Sequence, residues 1–400
     1  MLLSISLIVL CGMFLGYICK KIKLPSLVGM ILTGILLGPY VFNLIDDSIL
    51  NISADIRKIA LIIILTRAGL SLDISGLKKI GRPAVLMCFL PASFELLGML
   101  ILGPLLLNLT LLEAAILGSV LAAVSPAVVV PRMIKLMEEG YGNGKSIPQL
   151  ILAGASVDDV FVIVLFTTFT GIAQGGSASV MEFVNIPVSV AAGIAIGLIV
   201  GWILSKYFSV FHMRDTVKVL IILAVSFLLV VMESILQDKL KTPITFSALI
   251  AIMFIGIALR KHLRDVSDRL SSKFNKLWVG AEIFLFVLVG ATVNISYLGG
   301  VGVKAIVVIL GAVVFRMLGV FVCLIKTDLN MKERGFTMMA YTPKATVQAA
   351  IGGIPLSLGL ACGDITLTVA VLAIIITAPV GAFAIDLSYK KLLRKEKWDA

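Results

Sequence analysis

Residues 147–173 read IPQLILAGASVDDVFVIVLFTTFTGIA. As a helix, 27 apolar-rich residues are more than enough to cross a hydrocarbon core about 30 Å thick. Yet Asp158 and Asp159 stand side by side near the middle of the stretch. Ionisable groups at that depth cost several kcal/mol or more and mark a pathway or a partner. The rest of the chain fits the same solvent. Of its 400 residues 60% are hydrophobic and 14% charged, whereas soluble chains average about half and about a quarter. The bilayer is therefore the medium, and helices that satisfy their own backbone groups are the expected elements. Barrel strands would be shorter and would alternate.

Working outward, the apolar runs predict an all-α polytopic membrane protein with about 13 spans, near 2–19, 24–42, 57–76, 83–107, 111–137, 147–173, 185–210, 217–237, 244–259, 277–297, 301–326, 333–357 and 364–388. Alternate loops then gather 26 basic residues on the side of the C-terminus and five on the other side, with Arg67, Arg316 and Lys344 left inside spans. The positive-inside rule makes the C-terminal side cytoplasmic and places the N-terminus outside. An odd count suggests two inverted six-helix halves joined by an extra linking helix at 185–210, the arrangement of many secondary transporters.

Other readings of the composition fail. The net charge of +11 is scattered through short loops, which argues against a nucleic-acid partner. Cys11, Cys19, Cys88, Cys323 and Cys362 lie in or beside apolar runs without a CxxC pair and read as packing residues. His212 and His262 fall in basic loops, so no histidine metal site is expected in the membrane. The run 2–19 lacks a basic n-region and a cleavage site and reads as a retained first helix. Gly140-Tyr141-Gly142-Asn143-Gly144-Lys145-Ser146 is one residue short of a phosphate loop and follows no strand, so it reads as a turn.

Five ionisable residues collect at one depth: Glu95, Asp158, Asp159, Arg316 and Lys344. Two spans are also interrupted there. The first reads Ala122-Ala123-Val124-Ser125-Pro126-Ala127-Val128-Val129-Val130-Pro131, and the second Tyr341-Thr342-Pro343-Lys344-Ala345-Thr346-Val347-Gln348 with Gly352, Gly353 and Pro355 beyond. Proline removes an N–H and clashes with the preceding turn. Unwound backbone at membrane depth is tolerated only where it is buried or lines a cavity. Two broken helices in corresponding halves point to a transport site. Adjacent aspartates lie about 100° apart on a helix, so one can face a cavity and the other protein. Two neighbouring carboxylates repel, and such a pair holds either a proton or a small hard cation more readily than neither. Hydroxyls of Ser125, Ser156 and Thr342, and carbonyls freed by Pro126, are candidate further ligands.

At these motifs the chain resembles the monovalent cation:proton antiporter superfamily. Gly154-Ala155-Ser156-Val157-Asp158-Asp159 is similar to the two-aspartate motif of the NhaA and NapA type. Ser125–Pro131 and Pro343–Ala349 more closely resemble the NHA-type branch, which includes animal members. The resemblance implies secondary sodium (lithium)/proton antiport with no cofactor, Asp159 as the main ion and proton carrier, Asp158 as a second site residue, and Arg316 paired with Glu95. It also implies a homodimer in which a core moves against a scaffold. Together with the charge map this assigns 1–76 and 217–297 to scaffold and dimer, and 83–173 and 301–388 to the ion-transporting core. Many relatives carry Thr-Asp-Pro at the first break; here it is Val124-Ser125-Pro126.

The plainer readings are specific. Glu95 with Arg316 reads as a structural ion pair. Lys344 reads either as a cap for broken-helix carbonyls or as a partner of the aspartates. Arg67 reads as snorkelling, Glu113, Glu233 and Glu282 as reaching the interface, and Pro91 as a kink. Competing functions are a potassium/proton exchanger, an ion channel, and a sodium-coupled organic-anion symporter. Short tails and compact loops suggest a prokaryotic inner membrane.

Overall fold

The computed structural model describes residues 1–71, 81–175, 180–211, 213–238, 246–294 and 296–395, and helices account for nearly all of them. In chain order they are α1 Leu2–Lys21, α2 Ser26–Leu37, a single turn at Asp47–Asn51, α3 Ser53–Ser71, α4 Arg82–Met87, α5 Leu90–Leu107, α6 Leu111–Leu121, α7 Pro126–Glu139 and α8 Ile147–Gly175. They continue as α9 Val180–Val210, α10 Asp215–Asp238, α11 Ala248–His262, α12 Arg264–Ala291, α13 Ser296–Cys323, α14 Met331–Ala340, α15 Thr346–Ile351, α16 Ile354–Ser357 and α17 Gly363–Leu392.

Among the described residues nine stretches are long and apolar enough to cross a membrane: α1, α4 with α5, α6 with α7, α8, most of α9, α10, α12, most of α13, and α17. α2 is apolar but has only 12 residues. α3 carries Asp55, Arg57, Lys58 and Arg67, α11 is 15 residues long, and the 331–357 stretch is in three pieces. The fold is thus an all-helical, polytopic membrane architecture with about nine long spans on these criteria.

Local sequence explains where the helices stop. α6 starts in a capping box, in which Thr110 accepts from the Glu113 N–H and the Glu113 carboxylate accepts from the Thr110 N–H. Glu113 is therefore the helix cap of α6. α6 ends at Leu121, and the helix resumes only at Pro126, where a missing N–H is harmless in a first turn. α7 closes on Gly140, whose φ of 80° lies in the left-handed region that glycine enters freely. α14 has its own capping box, Asn330 with Glu333, and ends at Ala340 two residues before Thr342-Pro343. A third interruption was not expected from the sequence. Where a kink was predicted at Pro91, the helix stops at Met87 and restarts at Leu90.

The chain divides into two compact units. The first comprises Met1–Ala54, Ile74–Val162 and Ile283–Ala400, within which the described residues include every midplane charge named above. In it α1, α2 and the end of α12 touch through small residues, the usual device where lipid removes the hydrophobic drive between helices. Gly34 lies so close to the Val287 carbonyl that a Cβ there would overlap it, and Gly290 stands in the same relation to Ile31. Gly34→Ala is expected to cost about 1–3 kcal/mol through overpacking, read as a lower unfolding temperature in detergent without loss of helicity.

The second unit comprises Asp55–Asp73 and Ile163–Glu282. Its close approaches follow the same rule, with Gly69 against Met253 and Gly197 against Ala251. Arg67 interacts electrostatically with Glu282, and Glu233 accepts a hydrogen bond from the Ala248 N–H near Lys58. Arg67 and the two glutamates thus each lie near a group of opposite charge within the unit. The Leu220 and Leu228 side chains of α10 are exposed, as apolar groups on a lipid-facing helix are expected to be.

Candidate functional site

The two breaks of the first unit lie against each other. The Ser125 N–H, released from its helix, donates to the Pro343 carbonyl at 2.8 Å. Three freed carbonyls of the first break accept from side chains that reach it from other elements. Ala122 O accepts from an Arg316 terminal nitrogen. Leu121 O accepts from Lys344 Nζ at 2.6 Å and from Gln348 Nε2 at 3.2 Å, and Ala123 O accepts from Gln348 Nε2 at 2.9 Å. This accounts for backbone that would otherwise cost about 1–3 kcal/mol per unsatisfied group. The carbonyls of Leu121, Ala122 and Ala123 thus already accept from the chain's own donors.

The charges form a chain of pairs. Lys344 Nζ lies 2.6 Å from Glu95 Oε1 and 2.8 Å from Oε2. Arg316 reaches Glu95 at 3.1 Å with one terminal nitrogen and Asp158 Oδ2 at 2.6 Å with the other. Its Nε donates to the Tyr341 carbonyl at 2.8 Å. Asp158 Oδ2 also accepts the Val124 N–H at 2.9 Å. Glu95, Asp158, Arg316 and Lys344 are fully buried. A charge at that depth is tolerable only when paired and hydrogen-bonded, and each of these four is.

Asp159 differs. It has no cationic partner within 4.0 Å among the described residues, and its Oδ1 has no hydrogen-bond partner there. It retains 6% exposure where Asp158 has none. The Ser125 hydroxyl is buried with no partner among the described residues, as are Asp158 Oδ1 and the Thr346 hydroxyl. A carboxylate without a counter-charge, next in the chain to an aspartate with an unpaired oxygen, is able to take up a proton or a small cation.

The sequence-predicted residues therefore divide. Glu95, Ser125, Asp158, Arg316 and Lys344 are brought into one network by direct bonds or by the paired breaks, and Asp159 is fixed beside Asp158. The Glu95–Arg316 pair is present. Lys344 caps Leu121 and pairs with Glu95 rather than with either aspartate. The Thr342 hydroxyl donates to Met339 O at 2.9 Å, which leaves its oxygen lone pairs unused. Ser156 lies in α8, but its side chain falls outside the described residues. Three features were missed: the Arg316–Asp158 pair, the Gln348 caps, and Tyr341. The signal for Gln348 was its place one turn beyond Lys344, on a break whose carbonyls need donors.

Residues 5–387 match the family model for "Sodium/hydrogen exchanger, transmembrane". The chain is 34% identical to mouse "Sodium/hydrogen exchanger 9B2" over 386 residues, covering 94% of this chain and 69% of the relative. It is 31% identical to human "Sodium/hydrogen exchanger 9B1", covering 93% of this chain and 73% of that protein. Among solved structures, the sodium proton antiporter MjNhaP1 from Methanocaldococcus jannaschii superposes with a TM-score of 0.81, 22% identity and 97% coverage of both chains, a likeness of fold. With a family model over nearly its whole length and relatives above 30% identity, the chain is a member of the sodium/hydrogen exchanger family: a membrane transporter, not an enzyme.

Proposed function

We propose that the chain exchanges sodium or lithium for protons at Asp159 by alternating access. The observation that carries this reading is the pairing pattern: Arg316 and Lys344 engage Glu95 and Asp158, and Asp159 alone has no cationic partner among the described residues. Its carboxylate therefore takes its counter-charge from outside the protein, as a cation or as a proton, and each excludes the other. The Ser125 and Asp158 oxygens without hydrogen-bond partners supply further ligands for a hard monovalent ion, and the Ser156 hydroxyl is proposed as another. Transport measured with a pH dye in proteoliposomes tests the reading. Sodium and lithium should drive proton movement; potassium alone doing so would favour a potassium/proton exchanger, and no proton movement with any of the three would reject exchange.

The same charges favour electroneutral turnover. Glu95, Asp158 and Asp159 carry three negative charges and Arg316 and Lys344 two positive ones, leaving −1 for a single sodium or proton to cancel. Arginine does not deprotonate in proteins, and Lys344 is held by Glu95 and the Leu121 carbonyl. Exchange is therefore one for one. With the membrane potential clamped, an imposed voltage is expected to leave sodium uptake unchanged. Voltage-driven accumulation that disappears in Lys344→Ala would instead make the lysine a second proton carrier.

Architecture and placement follow from the charge map. Thirteen crossings in two inverted halves, with the broken helices crossing at the site, match the alternation of basic loops. The cytoplasmic C-terminus follows from those loops. A homodimer built on residues 1–76 and 217–297, with 83–173 and 301–388 moving against it, is the proposed assembly. Cross-links locking the predicted spans 147–173 and 217–237 together should stop transport; full activity after cross-linking would contradict the moving core.

A further inference from the structure

Tyr341 is the last residue before the second break and is fully buried. A buried tyrosine hydroxyl needs a hydrogen-bond partner, and Tyr341 finds one on a distant element: Oη donates to the Met87 carbonyl at 3.1 Å. That carbonyl is free for a definite reason. In an unbroken helix Met87 O would accept from the N–H four residues on, and that residue is Pro91, which has none. The carbonyl of Tyr341 is free for a parallel reason. Its acceptor role toward residue 345 is lost because Ala345, at φ −161°, is extended rather than helical. Arg316 Nε takes it instead at 2.8 Å.

The ring adds two contacts. The Arg316 guanidinium carbon lies 4.9 Å from its centroid, within the range of a cation–π contact. A Cβ at Gly154 would stand 2.6 Å from the Tyr341 hydroxyl and 2.8 Å from the Met87 Cβ. Gly154 is one turn ahead of Asp158 on α8, so the absence of a side chain there lets the helix of the aspartates rest on this tyrosine. Tyr341 thus meets the α4–α5 break through its hydroxyl, Arg316 through its carbonyl and ring face, and α8 through its edge.

We infer that Tyr341 is a positioning residue for exchange: its hydroxyl, anchored on the carbonyl that Pro91 frees, fixes the Arg316 guanidinium in the orientation that neutralises Asp158 and leaves Asp159 as the exchanging carboxylate. This rests on the proposed exchange reading. The charged groups that bear on the aspartates are Arg316 from α13, Glu95 from α5 and Lys344 from the second break, with the Cys88 and Cys323 thiols also near Tyr341. Of these, Arg316 alone contacts both Tyr341 and Asp158. When Arg316 is loosened, the Asp158 charge is less compensated and opposes a second negative charge on Asp159. Its proton then leaves at higher pH.

The test is the pH profile of sodium-driven proton movement in proteoliposomes for wild type, Tyr341→Phe and Gly154→Ala. Tyr341→Phe keeps the ring on Arg316 and removes only the anchor. The rising limb is expected to move to higher pH by about half a unit to one unit, with the maximal rate largely retained. Gly154→Ala pushes on the hydroxyl from the other side with every polar group kept, and should move the limb the same way; it carries the test if Tyr341→Phe does not fold. A tyrosine that merely supports the fold would lower the rate equally at all pH values. A wild-type protein with no exchange rejects the exchange reading and this inference with it. Wild-type exchange with an unmoved limb in a folded variant overturns the positioning role alone.

Discussion

Arg316→Met is expected to lower stability by about 3–5 kcal/mol, the usual cost of removing one partner from a buried ion pair, and to abolish exchange in whatever protein remains folded. A single guanidinium here satisfies Glu95, Asp158, the Ala122 carbonyl and the Tyr341 carbonyl. Methionine fills much of the volume and offers no donor. Glu95 keeps Lys344, but Asp158 keeps only the Val124 N–H and loses its counter-charge. Arg316→Lys should recover part of the stability and little of the rate, because an ammonium is a point charge that cannot span two carboxylates and two carbonyls as a planar fork does. Thermal unfolding in detergent with parallel transport measurements checks both. A stable, active Arg316→Met protein would remove the network from the account.

Asp159→Asn is expected to reduce sodium-driven proton movement by more than a hundredfold, to background, while leaving the fold intact. The substitution removes the titrating charge at nearly constant volume. No ion pair is broken, because Asp159 has no cationic partner within 4.0 Å among the described residues. Asp158→Asn should show the opposite balance. It breaks the 2.6 Å pair with Arg316 and so costs stability, while Asp159 remains able to titrate and a reduced rate persists. Transport and unfolding temperature measured on the same preparations separate the two aspartates; equal losses of both quantities in both variants would mean that they act as one unit.

Much of this was legible in the sequence because hydrocarbon makes exceptions conspicuous. Runs of apolar residues point to the helices, and five charges at one depth with two prolines at matching breaks point to the residues the structure joins in one buried network. Side-chain direction was not legible. Asp158 and Asp159 are neighbours in the chain, and only the orientation of α8 decides that Asp158 meets Arg316. Lys344 could have served either the carbonyls or the aspartates; in the structure it reaches Glu95 and the Leu121 carbonyl. The break at Met87–Leu90 was taken for a kink, since Pro91 alone does not reveal whether a helix bends or stops. The capping role of Glu113 depends on the Thr110 conformation, although the Thr-x-x-Glu spacing is its available signal.

The central claim is that proton and cation compete for one carboxylate. Proton release on adding sodium to purified protein in weakly buffered detergent solution tests it most directly, with bound sodium counted in parallel by equilibrium dialysis. Near the midpoint of the wild-type profile the account predicts release that saturates with sodium, approaches but does not exceed one proton per sodium bound, and is absent in Asp159→Asn. Undiminished release in Asp159→Asn, or two protons per sodium in the wild type, would contradict it.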